Sequence, residues 1–189
     1  MPVVAVVPAA GRSERFGRQK LVELVDGEPL LNRTIRSLLD AGVASVVVVA
    51  SPAGGLDAVP LLADPRVTQT INPDPSRGML SSIQVGLAAA PEGDPVLILP
   101  GDMPFVRAAT VLALLARPPR PGTVIAPRLN GRRGHPLALP RPLGSDILRA
   151  DAHSNLSDLL TALGVERHYV EVDDPGIVRD VDIEGDLTQ

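Results

Sequence analysis

Val3-Val4-Ala5-Val6-Val7-Pro8-Ala9-Ala10-Gly11-Arg12-Ser13-Glu14-Arg15-Phe16-Gly17-Arg18-Gln19-Lys20 is the stretch that decides the fold. Val3 to Val7 is a β-branched run without polar alternation, as expected of a strand buried on both faces. Ala9, Ala10 and Gly11 are small, so backbone can come close to a ligand there. The polar segment that follows, with Gly17 inside it, can present successive backbone N–H groups as an anion-binding concavity. Arg15 and Lys20 add mobile positive charge. The stretch reads as strand, loop, then helix, and as a cradle for a polyphosphate. Lys20 is the only lysine among eighteen Lys and Arg residues. A lysine is a compact point charge on a thin stem, whereas arginine is a wide planar fork. A crowded phosphate pocket suits the former.

Two common phosphate loops are excluded. A P-loop needs four residues between its glycines and Ser or Thr after the lysine. Here five residues separate Gly11 from Gly17, and Leu21 follows Lys20. The Gly-x-Gly-x-x-Gly dinucleotide fingerprint is absent.

Working outward, the pattern alternates between strands and helices, which argues for an α/β domain with a mostly parallel sheet. Strands are expected at Ser45–Ala50, Val67–Ile71, Pro95–Leu99, Thr123–Ala126, Arg167–Val172 and Ile177–Val181. Helices are expected over Leu30–Leu39, Ser81–Ala90, Ala108–Ala116 and Asn155–Leu163, the last with Ser154 as N-cap. At 189 residues, with 44% apolar and 21% charged residues, the chain reads as one ordinary globular domain. The turn-rich connector Arg117–Gly122 divides an expected nucleotide half, about 1–116, from an acceptor half, about 117–189. A net charge of −4 and only three aromatic residues disfavour nucleic acid as a partner. No cysteine is present, so neither a disulfide nor a thiolate nucleophile is available. No apolar run reaches membrane-spanning length and no leader pattern opens the chain, so no membrane partner and a cytoplasmic location are expected.

In open α/β sheets ligands sit beyond the carboxyl ends of the strands. After the strand Pro95–Leu99 comes Pro100-Gly101-Asp102-Met103-Pro104. Asp102 there faces the first loop, and Mg²⁺ on a polyphosphate is typically held by one or two carboxylates plus phosphate oxygens. After Val67–Ile71 comes Asn72-Pro73-Asp74-Pro75-Ser76-Arg77-Gly78-Met79-Leu80-Ser81-Ser82. Gly78, Ser81 and Ser82 at that helix start suit a base edge, ribose or phosphate; an ordinary serine-rich helix start is the alternative. Phe16 and Phe105 read as loop packing, and His153 and His168 as structural.

The first loop resembles the signature of the nucleotidyltransferases with the MobA-like fold, Leu/Pro-Ala-Ala/Gly-Gly-x-Ser-x-Arg-Met-Gly-x-x-Lys, with Phe16 where Met is usual. Gly101-Asp102-Met103-Pro104 is similar to the family's Gly-Asp-x-Pro. Gly78–Ser82 is similar to Gly-Met-x-Ser-Ser, and Arg133–Pro136 to Arg-Gly-His-Pro. Asp180–Leu187 resembles Asp-Ile-Asp-Thr-Pro-Glu-Asp-Leu, with Ile-Glu in place of Thr-Pro. The Pro8–Gly11 form looks like the cytidylyltransferase branch, and the elements together point to one resembling molybdenum cofactor cytidylyltransferase. The resemblance implies a three-layer α/β/α Rossmann-like fold and transfer of CMP from CTP, or of another NTP's nucleotidyl group, to the phosphate of molybdopterin with release of pyrophosphate. It implies Pro8, Ala9, Ala10, Gly11, Arg12 and Ser13 along the bound nucleotide, Arg15 and Lys20 as the catalytic cations, a Mg²⁺ held by Asp102 and Asp182, and His135 at the acceptor. Delivery of the product to a molybdoenzyme or its chaperone would follow. Guanylyl transfer, or cytidylyl transfer to methylerythritol phosphate, uses a similar loop; a nucleotide-binding module without turnover is the reading from another class. For Asp182 the alternative is an acidic cluster at a helix N-terminus.

Overall fold

The computed structural model describes residues 1–11 and 19–181. In chain order the strands are β1 (Val4–Ala9), β2 (Leu24–Val25), β3 (Glu28–Pro29), β4 (Ser45–Ala50), β5 (Val67–Ile71), β6 (Val96–Ile98), β7 (Thr123–Leu129), β8 (Arg132–Arg133), β9 (Leu137–Leu139) and β10 (Glu166–Glu171). The α-helices are α1 (Leu30–Asp40), α2 (Met79–Ala89), α3 (Ala108–Leu115), α4 (Arg141–Arg149) and α5 (Leu156–Ala162).

The main sheet runs β10-β7-β9-β6-β1-β4-β5, with β8 on β7; β2 and β3 pair apart from it. Strand β1 lies parallel to both β4 and β6, β4 parallel to β5, and β10 parallel to β7. Strand β9 runs antiparallel to β6 and β7. The expected mostly parallel α/β sheet is therefore present.

The apolar runs at β1, β4 and β6 are continuous because helices cover both faces. Ala5, Val7, Val46, Val48 and Leu97 join one core with Leu31, Ile35 and Leu38 of α1. Val4, Val6, Val47, Val49 and Ile98 join the other with Leu80, Ile83 and Leu87 of α2. Helix α2 crosses β1 so closely that a Cβ on Gly86 would lie 2.2 Å from Val6 Cγ1. Substituting Gly86 would push the helix off the sheet that carries the site.

Three expectations are corrected. Ile177–Val181 is not a strand: Pro175–Val178 is a 3₁₀ turn, because Pro175 pre-sets φ and Asp174 accepts the Gly176 N–H. The N-cap of α5 is Asn155, whose side chain accepts from the Asp158 N–H, while the Ser154 hydroxyl donates to the Asp151 carbonyl. Strand β9 and helix α4 were not expected; Pro136 and Pro140 bracket the first, and Pro142 and Gly144 interrupt the pattern of the second. No helix among the described residues is long and apolar enough to cross a membrane.

Candidate active site

The carboxyl end of β1 delivers Pro8 and Ala9 and then Ala10, which is fully buried, and Gly11. The chain after β6 is fastened to it: Leu99 N–H donates to Val6 O at 3.1 Å and Gly101 N–H to Pro8 O at 2.9 Å. Gly101 sits where Leu31 Cδ1 would be only 3.1 Å from an added Cβ. Thr34 Oγ1 of α1 holds the Gly101 carbonyl at 3.0 Å. The next residue, Asp102, is thereby set beside the end of β1.

Lys20 opens a 3₁₀ turn, Lys20–Val22, and reaches back over the same place. Its Nζ donates to Asp102 Oδ2 at 2.9 Å and to the Val181 carbonyl at 2.7 Å. Val181 N–H in turn donates to Asp102 O at 3.0 Å. Residues 82 and 161 positions apart from Lys20 in sequence therefore meet at its amine. The Lys20 and Asp102 side chains keep 14% and 25% of their surface exposed. The pair is mostly shielded but still reaches the cavity, so an incoming phosphate, with the same sign of charge as the carboxylate, can take over the amine as partner.

The loop before α2 turns at Gly78, whose φ of +94° places it in a region that favours glycine. Asn72 organises this loop. Its Nδ2 donates to Ser81 Oγ at 2.8 Å and Ser82 Oγ at 3.0 Å, and its Oδ1 accepts the Asp74 N–H. Ser81 Oγ donates to the Gly78 carbonyl at 2.7 Å. Ser81 and Ser82 are both buried, and Ser82 reaches a cavity wall.

Two cavities open here. The smaller, about 270 Å³, is lined by Pro8, Ala9, Ala10, Gly11, Lys20 and Ser82 among others. The larger, about 830 Å³, runs between α2, β7, α5 and the 3₁₀ turn near Ile177, with His135 in its wall. Gly78, Met79, Pro100 and Asp102 border both. The cavities thus meet at the Asp102 carboxylate.

His135 N–H donates to Ile177 O at 2.9 Å. Gly134 before it has no room for a side chain, since a Cβ would lie 2.2 Å from the same carbonyl. The imidazole is half-buried with its Nδ1 enclosed, and this desolvation pushes its pKa below 6.5 despite the Ile98 carbonyl and the charges of Asp102 and Asp180. It is therefore a neutral ring, and its Nδ1 has no partner among the described residues.

The structure brings Pro8, Ala9, Ala10, Gly11, Lys20, Gly78, Ser82, Asp102 and His135 to these two cavities, and keeps Ser81 inside the loop. Arg12, Ser13, Arg15, Phe16 and Asp182 lie outside the described residues. Phe105 packs as a loop residue, under the Arg179 guanidinium at 3.7 Å. Sequence reasoning missed Met79, exposed at the junction of the cavities, and treated His153 and His168 as structural although both border the larger one. It also missed Asp174, buried and satisfied by Thr110 Oγ1 at 2.6 Å and the Arg107 and Gly176 N–H groups at 2.9 Å. That carboxylate ties the turn behind His135 to the start of α3. An Asp-Pro pair at a turn was its only signal.

The described residues contain no group of three or more potential metal-ligating side chains. A Mg²⁺ ion would not need one, because it takes one or two carboxylates and completes its shell with phosphate oxygens and water. Asp102, at the meeting point of the cavities, fits that role.

The MobA-like NTP transferase domain model matches residues 5–169. The chain is 35% identical over 141 residues to 2-C-methyl-D-erythritol 4-phosphate cytidylyltransferase of Nocardia farcinica, covering 73% of this chain and 56% of that protein. It is 34% identical to the protein of that name from Rhodococcus opacus, over 70% and 54% of the two. The chain thus spans about half the length of these curated relatives. A solved nucleotidyl transferase from Methanothermobacter superposes with a TM-score of 0.82 at 26% identity, covering 98% and 94% of the two chains. A Mycobacterium tuberculosis protein gives 0.82 at 24% identity, over 98% and 95%, and so shares the fold. With a sheet of this order, Lys20 and Asp102 paired beside the end of β1, and a match over most of its length, the chain belongs to the family of MobA-like NTP transferase domains.

Proposed function

We propose that this chain is a cytidylyltransferase that moves CMP from CTP to the phosphate of a molybdopterin-type acceptor. The carrying observation is the junction of the two cavities at Asp102, with Lys20 bonded to that carboxylate from the smaller cavity. Nucleotide in the smaller cavity and acceptor in the larger would bring the two reacting phosphates together there. CTP is supported by the Pro8-Ala9-Ala10-Gly11 form of the loop and by the cytidylyltransferase relatives.

An acceptor phosphate oxygen attacks the α-phosphorus of CTP. The bond from that phosphorus to the oxygen bridging the β-phosphate breaks, and pyrophosphate leaves with the electron pair. Such transfers depend on positioning and charge stabilisation more than on covalent chemistry. Lys20 exchanges Asp102 and the Val181 carbonyl for phosphate oxygens, and Arg15 is proposed to share the charge on the leaving group. Ala10 and Gly11 let the backbone approach the triphosphate. Neutral His135 orients the acceptor by hydrogen bonding without adding charge. Asp102, with Asp182 proposed beside it, would hold Mg²⁺, which supplies charge neutralisation on the phosphates.

The curated relatives support a second acceptor, methylerythritol phosphate. The larger cavity favours the first reading: Leu137, Leu156 and Tyr169 are partly exposed along its wall, backed by the buried Leu80, Ile98, Val124 and Leu160, and a small polyol phosphate would leave that apolar wall wet. Pyrophosphate release, measured with CTP and GTP against each acceptor, tests the proposal. Fastest release with CTP and molybdopterin is expected; release only with methylerythritol phosphate would replace the first reading by the second.

A further inference from the structure

The larger cavity gathers positive charge in a chain of net charge −4. Four arginines, Arg77, Arg132, Arg133 and Arg167, border it against two carboxylates, Asp102 and Asp180. Some of these charges are committed. Arg167 donates to the Ser157 carbonyl at 2.6 Å and Thr161 Oγ1 at 3.0 Å, and Asp102 pairs with Lys20. Arg77 borders the larger cavity from the loop before α2, the side on which the two cavities share Gly78 and Met79. Arg132 and Arg133 remain. Both are exposed on the hairpin opposite that loop, neither side chain has a hydrogen bond or ion pair to a described residue, and both border the larger cavity.

Their position is fixed rather than loose. Asn130 at φ 48° and Gly131 at φ 79° form the two-residue turn that suits a tight hairpin. The turn sets the register, with Arg133 opposite Arg128 and Arg132 opposite Leu129. Arg128 on the same hairpin is engaged: it pairs with Glu171 at 2.5 Å and lies over the Tyr169 ring at 5.0 Å. The hairpin therefore holds its base down with one arginine and presents two others at the rim of a cavity whose wall is core-like. Fixed like charges beside a low-dielectric wall concentrate their field on that opening.

We propose, on the basis of the transferase reading above, that Arg132 and Arg133 determine acceptor specificity by holding a negative charge distinct from the phosphate that receives the nucleotidyl group. The acceptor class is then a ring-sized, largely apolar molecule with a second anionic group. The two charges are distinct because the receiving phosphate has to lie at the shared border near Asp102 and Pro100, which the hairpin arginines do not line. The apolar body takes the partly exposed wall at Leu137, Leu156 and Tyr169, and the second anion takes the hairpin.

Two naphthalene dyes of the same shape separate these terms: anionic 8-anilinonaphthalene-1-sulfonate and neutral N-phenyl-1-naphthylamine. Each is titrated by fluorescence into the folded wild-type chain and into Arg132→Ala/Arg133→Ala. The sulfonate dye should bind at one saturable site and weaken about tenfold in the variant, as two partly exposed charge contacts would give, while the neutral dye is unchanged. In the wild type, raising salt should weaken the sulfonate dye alone; this measurement serves even if the variant folds poorly. Unchanged sulfonate binding in a folded variant, equal weakening of both dyes, or salt-insensitive sulfonate binding would overturn the proposal. The dye titrations need no turnover. Loss of sulfonate binding in the variant together with no pyrophosphate release from any acceptor would support the hairpin site and contradict the transferase reading.

Discussion

Lys20→Ala separates a catalytic role from a structural one, and the structure sets both magnitudes. The substitution removes an amine that bonds Asp102 Oδ2 at 2.9 Å and the Val181 carbonyl at 2.7 Å. The pair is mostly shielded without being fully buried, so leaving Asp102 and the carbonyl without it costs on the order of 1–3 kcal/mol, a loss that a domain with the typical 5–15 kcal/mol of stability survives folded. If the same amine stabilises charge on the transferring and leaving phosphates, kcat should fall by about 10²–10³. Thermal unfolding and pyrophosphate release with CTP would be measured side by side. Lys20→Arg should restore stability more fully than turnover, because the planar fork differs in shape from the ammonium. A folded Lys20→Ala enzyme within tenfold of wild-type kcat would refute the reasoning.

Asp102→Asn keeps the size of the side chain and removes the charge a hard cation needs; activity at ordinary Mg²⁺ should vanish with little change in melting temperature, and undiminished turnover would place the metal elsewhere. Pro8→Leu with Ala10→Gly loosens the end of β1 and should shift kcat/KM from CTP towards GTP; an unchanged ratio would show that this loop does not set the base. Desolvation holds the folded-state pKa of His135 below its ordinary 6.5. The unfolded chain therefore binds the proton first as pH falls, so this contribution to stability is complete above pH 6.5 and is lost below it. Unfolding free energy followed from pH 7.5 to 5.5 should fall more steeply in the wild type than in His135→Asn, and parallel curves would contradict the neutral, half-buried ring.

Much of the fold was legible because the sheet is buried on both faces. Continuous valine runs at β1 and β4 leave few alternatives, and the loops after β1 and β6 announce themselves by small residues and a strand-end aspartate. What was not legible depends on tertiary contacts. Strand β9 is three residues between prolines and exists because β6 and β7 offer it two edges. Ile177–Val181 looked like a strand from its apolar residues, but its backbone is taken by Asp174, His135 and Asp102. Asn72 sat in a recognised segment, yet its part in holding Ser81 and Ser82 shows only once β5 and α2 are side by side. Arg133 sat in the Arg-Gly-His-Pro segment, where the sequence drew attention to His135, and only the cavity beside the hairpin distinguishes its arginines from solvated charges.

The most direct test follows oxygen. Acceptor carrying ¹⁸O in its phosphate is incubated with CTP, Mg²⁺ and enzyme, and both products are weighed by mass spectrometry. Attack at the junction of the two cavities predicts that every labelled oxygen remains in the cytidylylated acceptor and that pyrophosphate is unlabelled. Label in pyrophosphate, or CMP and pyrophosphate formed without any cytidylylated acceptor, would contradict it.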